Sequence, residues 1–449
     1  MNTIKTIAGI VFCSFLFTGC KKKTDQLFDN TVDERLTTTL TNYQNYLTTA
    51  PGWKLFVYPK GLEAQNITVG GLTYYLKFGN TNRVTMVSDF TSAISATPKE
   101  SGYRLKALQR PSLIFDTYTY MHIPADPDPN VSFSPTGTGG NGFGTDFNFS
   151  FTKVTPSDTI KLEGNFNKSS AVLIKATQAE MDAAFVNAVL KKIIDSTNVY
   201  PVKNPFLYFP ASPSLNVGVG FDFNVNLLIF SYVGAGTLVN KTVGFSFTTY
   251  GIHLQSPVTI GNYTFQELYW DDVKKIYYIL SGSNRVEFAN GTIPVVSLPL
   301  TNIIGNQYTS IIVPPGANLP SESPLFITRY NLARSGMLAG PYRLAMGDME
   351  FLFNAPAKTM IVNVDVFQGN ARFLCQYSYS YTVDAAGLFK FTKTTQNGNG
   401  ALVVANMNNI LSFIESDQFK IDGISTSVGF LGLFTSKQTP AFYFSGNLY

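Results

Sequence analysis

The chain has 449 residues, of which 14% are charged and 14% aromatic, with 37 Phe and 24 Tyr. This length allows two or three domains with cores of their own, and the composition is typical of a β-rich protein and argues against a disordered or mainly helical one. The formal charge is +4, but four of the 33 Lys and Arg lie within the first 23 residues, which leaves 29 to balance the 29 acids. The body is therefore neutral and offers no basic surface for nucleic acid.

The N-terminus has the order of a bacterial secretion signal. Lys5 precedes an apolar run over 7–17, and two small residues follow before Cys20. The run is too short to span a bilayer, and small residues before a cysteine are typical of a lipoprotein cleavage site. The sequence predicts a signal peptide over 1–19, lipidation of Cys20 and a tether over 20–29. The alternative is an ordinary signal peptide cleaved elsewhere.

The remaining cysteines indicate no redox chemistry. Cys13 lies in the predicted signal peptide, and Cys375 is then alone with Cys20 in the mature chain. Once Cys20 is lipidated, no intramolecular disulfide and no cysteine metal cluster can form. We interpret Cys375 as a small core residue rather than a reactive thiol.

An amphipathic helix is predicted after the tether. Thr31 and Glu34 have the capping-box spacing, and Pro51 with Gly52 ends the pattern. Four apolar residues fall on one helical face: Leu36, Leu40, Tyr43 and Leu47.

Most of the chain after this helix has the period of two that marks half-buried antiparallel strands. The segment LTYYLKF at 72–78 and the segment RVTMVS at 83–88 predict a hairpin, with Leu72, Tyr74 and Leu76 pointing inward. Further strands are predicted at FNFSF (147), IKLEG (160), FDFNVNL (221), FSF (245), YSYSY (377), FKF (389) and FYF (442).

Two more helices and two loops are predicted between these strands. Residues 177–196 open with a second capping box, and residues 401–416 form a weaker helical pattern that asparagines interrupt. The Pro- and Gly-rich run 124–146 predicts a mobile surface loop, and 313–324 predicts a long exposed loop within an insertion at about 283–340.

A short sequence pattern that occurs twice suggests two related units. Tyr103 precedes LQRP at 108–111, and Tyr250 precedes LQSP at 254–257. We predict a first unit over 30–200, with the N-terminal helix, and a second over 201–449. The predicted fold class is mainly β: two antiparallel β-sandwich or lipocalin-like barrel units with an N-terminal helix and one or two covering helices.

Three segments carry a resemblance to a known family. They are FDNTVDERLTTTLTNYQNYLTTAPGWKLFVYP, GGLTYYLKFGNTNRVTMVSDF and SGYRLKALQRPSLIFDTYTYMHIPADPDPN. They resemble a family of uncharacterised Bacteroidota lipoproteins, the domain of unknown function 4302. The resemblance implies a cell-envelope lipoprotein encoded near outer-membrane nutrient-uptake proteins and a predicted zinc metallopeptidase. It supplies no catalytic residues.

The sequence offers little for catalysis or metal binding. His122 and His253 are the only histidines, both in strand-like stretches, and we interpret them as packed structural residues. Asp126 and Asp128 alternate as calcium ligands would, but prolines separate them, and Val131 stands where the calcium loop needs glycine. We predict no cofactor, no metal site and no catalytic residue.

Four residues are candidates for ligand contact. Tyr269, Trp270 and Asp272 lie in the segment YWDD, and Trp53 lies in PGWKLF. Aromatic rings beside acids could stack on a sugar and hydrogen-bond it, but a strand end with Trp270 buried is the simpler interpretation. Asp271 and Asp272 are adjacent and point to opposite faces of a strand, which disfavours a glycosidase pair.

The leading functional hypothesis is a non-catalytic, ligand-binding lipoprotein of the outer membrane, held beside a nutrient transporter by its lipid anchor. The ligand would be a glycan, a peptide or a lipid, bound in an aromatic-lined cleft or barrel mouth. The alternative is a structural or assembly accessory of an envelope complex, and the third choice is a carboxylate-based hydrolase. Whether the anchor faces the periplasm or the exterior stays open.

Overall fold

A computed structural model describes residues 31–135, 140, 142–152 and 158–449. The predicted signal peptide, the tether and Cys20 lie outside the described residues. The helices are α1 (Val32–Thr49), α2 (Pro129–Ser132), α3 (Gln178–Phe185), α4 (Val189–Lys203), α5 (Pro324–Ala339) and α6 (Gly398–Ser416). They accompany three antiparallel sheets, so the predicted fold class, mainly β with barrel units and covering helices, is confirmed.

The first sheet is a closed eight-stranded barrel in which each strand pairs with its neighbour in sequence and the first pairs with the last. Its interior is filled by apolar side chains, and α1 packs Tyr43 and Leu47 against it. The predicted hairpin and its inward residues are confirmed. The strands are β1 (Gly52–Tyr58), β2 (Leu72–Phe78), β3 (Arg83–Ser88), β4 (Lys99–Ala107), β5 (Pro111–Phe115), β6 (Asn148–Phe151), β7 (Thr159–Gly164) and β8 (Ser170–Ala176).

The second sheet has nine strands and curls until its ends meet. Its last two strands are separated by Phe288: the first of them pairs with the seventh strand of the sheet, and the second pairs with the first strand. The strands are β9 (Leu207–Ser212), β10 (Leu215–Asp222), β11 (Leu227–Gly234), β12 (Thr237–Thr248), β13 (Gly251–Ile260), β14 (Tyr263–Asp271), β15 (Ile276–Ser281), β16 (Asn284–Glu287) and β17 (Ala289–Asn290).

The third sheet also has nine strands, and the pairing of its seventh strand with its eighth closes eight of them into a ring. Helices α5 and α6 bury apolar side chains, among them Tyr330 and Met407, in the same core as these strands. The strands are β18 (Ser297–Pro299), β19 (Ser310–Val313), β20 (Ala345–Asn354), β21 (Thr359–Gln368), β22 (Ala371–Val383), β23 (Phe389–Gln396), β24 (Gln418–Thr426), β25 (Gly429–Ser436) and β26 (Tyr443–Leu448). Residues 201–449, predicted as one unit, thus contain two of the three sheets.

Three local predictions are corrected by the structure. The predicted helix 177–196 is two helices, because Ala188 has a φ of +50° and interrupts the backbone between α3 and α4. The segment FDFNVNL is not one strand but comprises the end of β10, the turn 223–226 and the first residue of β11. The predicted insertion contains α5, which is capped by Ser323, whose hydroxyl accepts a hydrogen bond from the Phe326 amide.

Contacts between the outer faces of the barrels join the first two sheets. The outward side chain of Thr73 on β2 lies 2.8 Å, oxygen to oxygen, from the Ser246 hydroxyl on β12. The buried Asp89 carboxylate accepts hydrogen bonds from the Thr73 amide (2.7 Å) and from the Phe247 amide (2.8 Å). One carboxylate thus links two barrels through their backbones.

The second and third sheets meet through small residues. The Phe221 amide of the second sheet donates to the Ser427 carbonyl of the third at 2.9 Å. A Cβ atom on Gly220 would lie 2.5 Å from the Gly429 nitrogen, so a larger residue at this position would force the two sheets apart.

Glu322, next to the start of α5, is expected to destabilise the native state as the pH rises. Both its carboxylate oxygens are buried, and burial raises the pKa of Glu322 to about 7, although the Leu319 backbone opposes the shift. Between about pH 4.5 and pH 7, Glu322 is therefore protonated in the native state and ionised in the unfolded chain. Stability from this group is greatest below that pH and is lost as the pH rises through 7.

We expect Glu322→Gln to raise the free energy of unfolding at pH 8 by about 1 kcal/mol relative to its effect at pH 5, because glutamine stays neutral. Urea unfolding at both pH values measures the difference. Glu100→Gln, which changes an exposed carboxylate paired with Arg83, is the matched control and should show no such gain. An equal effect of Glu322→Gln at both pH values would contradict the prediction.

Candidate functional site

Trp53, predicted as a ligand contact, lies inside the first barrel. Its side chain is fully buried, and its indole Nε1 donates to the Leu47 carbonyl of α1 at 3.0 Å. The Tyr46 ring lies 5.4 Å from it, centroid to centroid. In this structure Trp53 is a core residue that fastens α1 to the barrel, and it has no surface for a ligand.

The other three predicted residues lie close together in sequence but do not converge. Trp270 packs inward against Tyr200 and Tyr277, whereas Tyr269 is part of a partly exposed aromatic row with Tyr250 and Tyr278. Strand alternation separates the two rings onto opposite faces, as the sequence predicts for adjacent residues.

Asp272 is held by two cations. Its carboxylate accepts from Lys192 Nζ and Lys275 Nζ, each at 2.7 Å, and these bonds lower its pKa well below the usual value. Asp271 instead binds Arg285 at 2.6 Å and the amides of the following turn. The two carboxylates thus have separate partners and do not form a pair.

Both histidines are packed among aromatic rings. His122 lies between Tyr118 and Phe147, with its Nδ1 accepting from the Thr119 amide at 3.2 Å, and burial lowers its pKa. His253 stacks on Phe56 of the first barrel with 4.0 Å between ring centroids.

His253 is also the centre of a hydrogen-bond chain between the first two barrels. Its Nδ1 lies 2.7 Å from Glu267 Oε1, and the Tyr250 hydroxyl donates to the other Glu267 oxygen at 2.5 Å. Its Nε2 lies 3.1 Å from the Tyr58 hydroxyl. With Nδ1 donating to the carboxylate, Nε2 accepts from Tyr58, and a neutral imidazole satisfies the whole chain. These hydrogen bonds fix the orientation of Tyr58, His253, Glu267 and Tyr250 at the contact between the two barrels.

The loop predicted over 124–146 is partly built into the fold. Asp126 and Asp128 accept hydrogen bonds from the amides two residues on, so their carboxylates cap local turns. The Phe143 amide donates to the Pro124 carbonyl at 2.7 Å, and the Phe143 ring is buried. Residues 136–139 and 141 lie outside the described residues.

A groove of about 930 Å³ opens above the Tyr58 end of this chain of hydrogen bonds. We call it the inter-barrel groove. One wall is the outer face of β7, β8 and β1, and the other is a bulge in β13, where pairing with β14 is interrupted between His253 and Val258. Its polar lining consists of Tyr58, Lys60, Thr152, Lys161, Glu163, Lys168, Ser170, Gln255 and Ser256.

The inter-barrel groove carries surplus positive charge. Glu163 already interacts with Arg110 at 3.1 Å and with Lys168 at 3.9 Å. Lys60 and Lys161 are exposed, and neither has an ion pair within the part of the chain that the structure describes. Two cations are therefore free to meet an anionic ligand.

Sequence reasoning did not find the inter-barrel groove. Its residues come from three distant parts of the chain, 58–60, 152–172 and 255–256. One local signal marks it: Pro257, which cannot donate a ladder hydrogen bond, lies in the bulge of β13. The interiors of the barrels, by contrast, are occupied by buried apolar side chains.

Two comparisons bear on relatedness. The family model described as "Domain of unknown function (DUF4302)" matches residues 24–272. No curated protein matches the chain. In the described residues, no helix is long and apolar enough to cross a membrane.

Proposed function

We propose that this chain, which belongs to the family of the domain of unknown function DUF4302, is a non-catalytic ligand-binding lipoprotein of the cell envelope. Cys20 would carry the lipid, the membrane would be its first partner, and an outer-membrane nutrient-uptake protein its second. The observation that supports binding is the inter-barrel groove, whose volume of about 930 Å³ is in the range of ligand sites.

The chemistry of the groove favours an elongated anionic ligand. Lys60 and Lys161 supply charge that no acid of the described residues neutralises, and Gln255 and Ser256 supply neutral hydrogen-bonding groups from the opposite wall. Tyr58, which lines the groove, is held in place by its hydrogen bond with His253, and this preorganisation would lower the entropic cost of binding. An acidic glycan fits this combination best, with acidic peptides and anionic lipids as the comparison ligands.

Reversing charge in the groove should weaken binding of acidic glycans. We expect the double variant Lys60→Glu and Lys161→Glu to lower the affinity of the full chain for an acidic oligosaccharide about tenfold or more, since two attractions become repulsions. Isothermal titration calorimetry at low and high salt measures this loss.

The matched control is Lys77→Glu with Lys106→Glu, which changes two exposed lysines on other strands of the same barrel. This control should bind like the parent. Equal losses in both double variants would show only an effect of net charge and would contradict a site in the inter-barrel groove.

The anchor is tested separately. Replacing Cys20 with serine should move the protein from the membrane fraction to the soluble fraction of the cell envelope, because the acyl chains supply the membrane affinity. Immunoblots of fractionated cells measure the distribution, and Cys375→Ser is the control. Unchanged membrane association of Cys20→Ser would contradict the lipoprotein proposal.

The structural or assembly accessory remains a second candidate because of an apolar surface on the β5–β6 connection. Tyr118, Val131 and Phe133 are exposed there. Affinity purification from membranes with the native anchor separates the two proposals. Recovery of no partner, with saturable binding of a pure ligand, would exclude the accessory role.

The carboxylate-based hydrolase has weaker support, because Asp271 and Asp272 each form ion pairs with basic side chains.

A further inference from the structure

The third sheet contains an apolar pocket that is separate from the inter-barrel groove. It lies between the first turn of α6 and the ends of β21 and β22, and its volume is about 190 Å³. Buried Val366, Cys375 and Val403 line it. The thiol is not ionised at neutral pH, because burial raises the pKa of Cys375 to about 11.

The rim of this pocket is unusually apolar for a surface. Tyr342, Phe373 and Leu402 surround the opening, and they are 49%, 40% and 63% exposed. Three large apolar side chains that come from three different parts of the chain thus meet at one small cavity. Isolated exposed apolar residues are ordinary, whereas a cluster around a concave site indicates a binding function.

Two amides supply the polar part of the lining. Gln368 Nε2 donates to the Tyr342 carbonyl at 3.1 Å, and Asn399 Nδ2 donates to the Leu374 carbonyl at 3.2 Å. Within the described residues, no hydrogen bond reaches the side-chain oxygen of either amide. Each of these oxygens can accept from a ligand N–H or O–H group.

We propose that this pocket binds a small aromatic molecule that carries one hydrogen-bond donor, of the size and kind of indole or phenol. An engineered protein cavity of about 150 Å³ holds one benzene ring, so about 190 Å³ accommodates a single substituted or fused ring. The long acyl chain of a lipid does not fit this volume.

The test measures binding of indole to the full chain by calorimetry. We expect saturable binding of one indole with a Kd of about 1 mM or tighter. Indole should also slow the reaction of the Cys375 thiol with a small uncharged thiol reagent, which must enter through the same pocket. The Cys375→Ala variant gives the background labelling from other cysteines.

Two variants locate the site. Cys375→Leu should fill the pocket and abolish indole binding, and its thermal unfolding shows whether the fold is kept. Leu402→Gln changes only the exposed rim, so it keeps the fold, and it should weaken binding about fivefold. The control is Leu338→Gln, a comparably exposed leucine, 56% against 63%, on α5 outside the pocket.

Three results would overturn the proposal: no saturable indole binding, equal binding by the parent and Leu402→Gln, or displacement of indole by a long-chain fatty acid. The lysine variants of the inter-barrel groove should bind indole normally. Failure of this proposal can therefore be told apart from failure of the proposed anionic site.

Discussion

Asp89→Ala is expected to lower the free energy of unfolding by about 3 kcal/mol or more, because it leaves two buried amides without an acceptor. These are the Thr73 amide in the first barrel and the Phe247 amide in the second, at 2.7 and 2.8 Å from the carboxylate. Because Asp89 joins the barrels, its loss should also separate their unfolding into two steps. Urea unfolding followed by circular dichroism and by tryptophan fluorescence measures both effects.

The effect should depend on pH. Burial raises the pKa of Asp89 to about 7, although the amides of Thr73 and Phe247 oppose the shift. The native state therefore holds a proton that the unfolded chain releases near pH 4, and the stability from this group is lost as the pH rises through 7. The difference between the parent and Asp89→Ala should then be larger at pH 5 than at pH 8.

Asp116→Ala is the control for Asp89. It removes a carboxylate from the same barrel, but Asp116 is exposed and pairs with Arg104 at the surface. We expect a loss of about 1 kcal/mol or less. A similar loss in both variants, or an unchanged single transition in Asp89→Ala, would contradict the joining role of Asp89.

Trp53→Ala is expected to cost about 4 kcal/mol of stability, since it creates a large cavity in the first barrel and removes the hydrogen bond to Leu47. The change in urea midpoint can be followed through Trp270, the other tryptophan of the chain.

The control is Phe166→Ala, which removes an 84% exposed ring from the same barrel and should be nearly neutral. Trp53→Phe should fall between the two. If Trp53→Ala instead kept its stability and lost ligand affinity, Trp53 would be a ligand contact, as its residue type suggested, and not a core residue.

The sequence predicts helices and strands correctly where the pattern that defines them lies within a few neighbouring residues. The capping boxes at Thr31 and Thr177 start helices as predicted, and the hairpin 72–88 has the expected faces. Helix α5 was missed because Pro- and Ser-rich residues precede it, although Phe326, Tyr330 and Met337 carry its helical spacing. A proline-rich run marked the start of a helix as well as a loop.

The candidate site was less predictable, for a physical reason. Residue type alone makes Trp53 and Trp270 candidates for ligand contact, but a large ring packs in a core as readily as against a ligand, and only the packing distinguishes the two roles. His253 was interpreted correctly as packed, yet its partners Tyr58 and Glu267 come from separate sheets. No spacing along the chain encodes a contact between β1 and β13.

Each barrel is built from one uninterrupted stretch of the chain, and this order has a consequence for biosynthesis. In the proposed exported protein the N-terminal part of the chain crosses the inner membrane first, so the strands of the first barrel can pair before any strand of the second barrel arrives. Until the second barrel folds, Asp89 would accept a hydrogen bond from the Thr73 amide but not from the Phe247 amide. The first barrel should therefore form a folding intermediate that lacks its contacts with the second barrel until β12 docks on it.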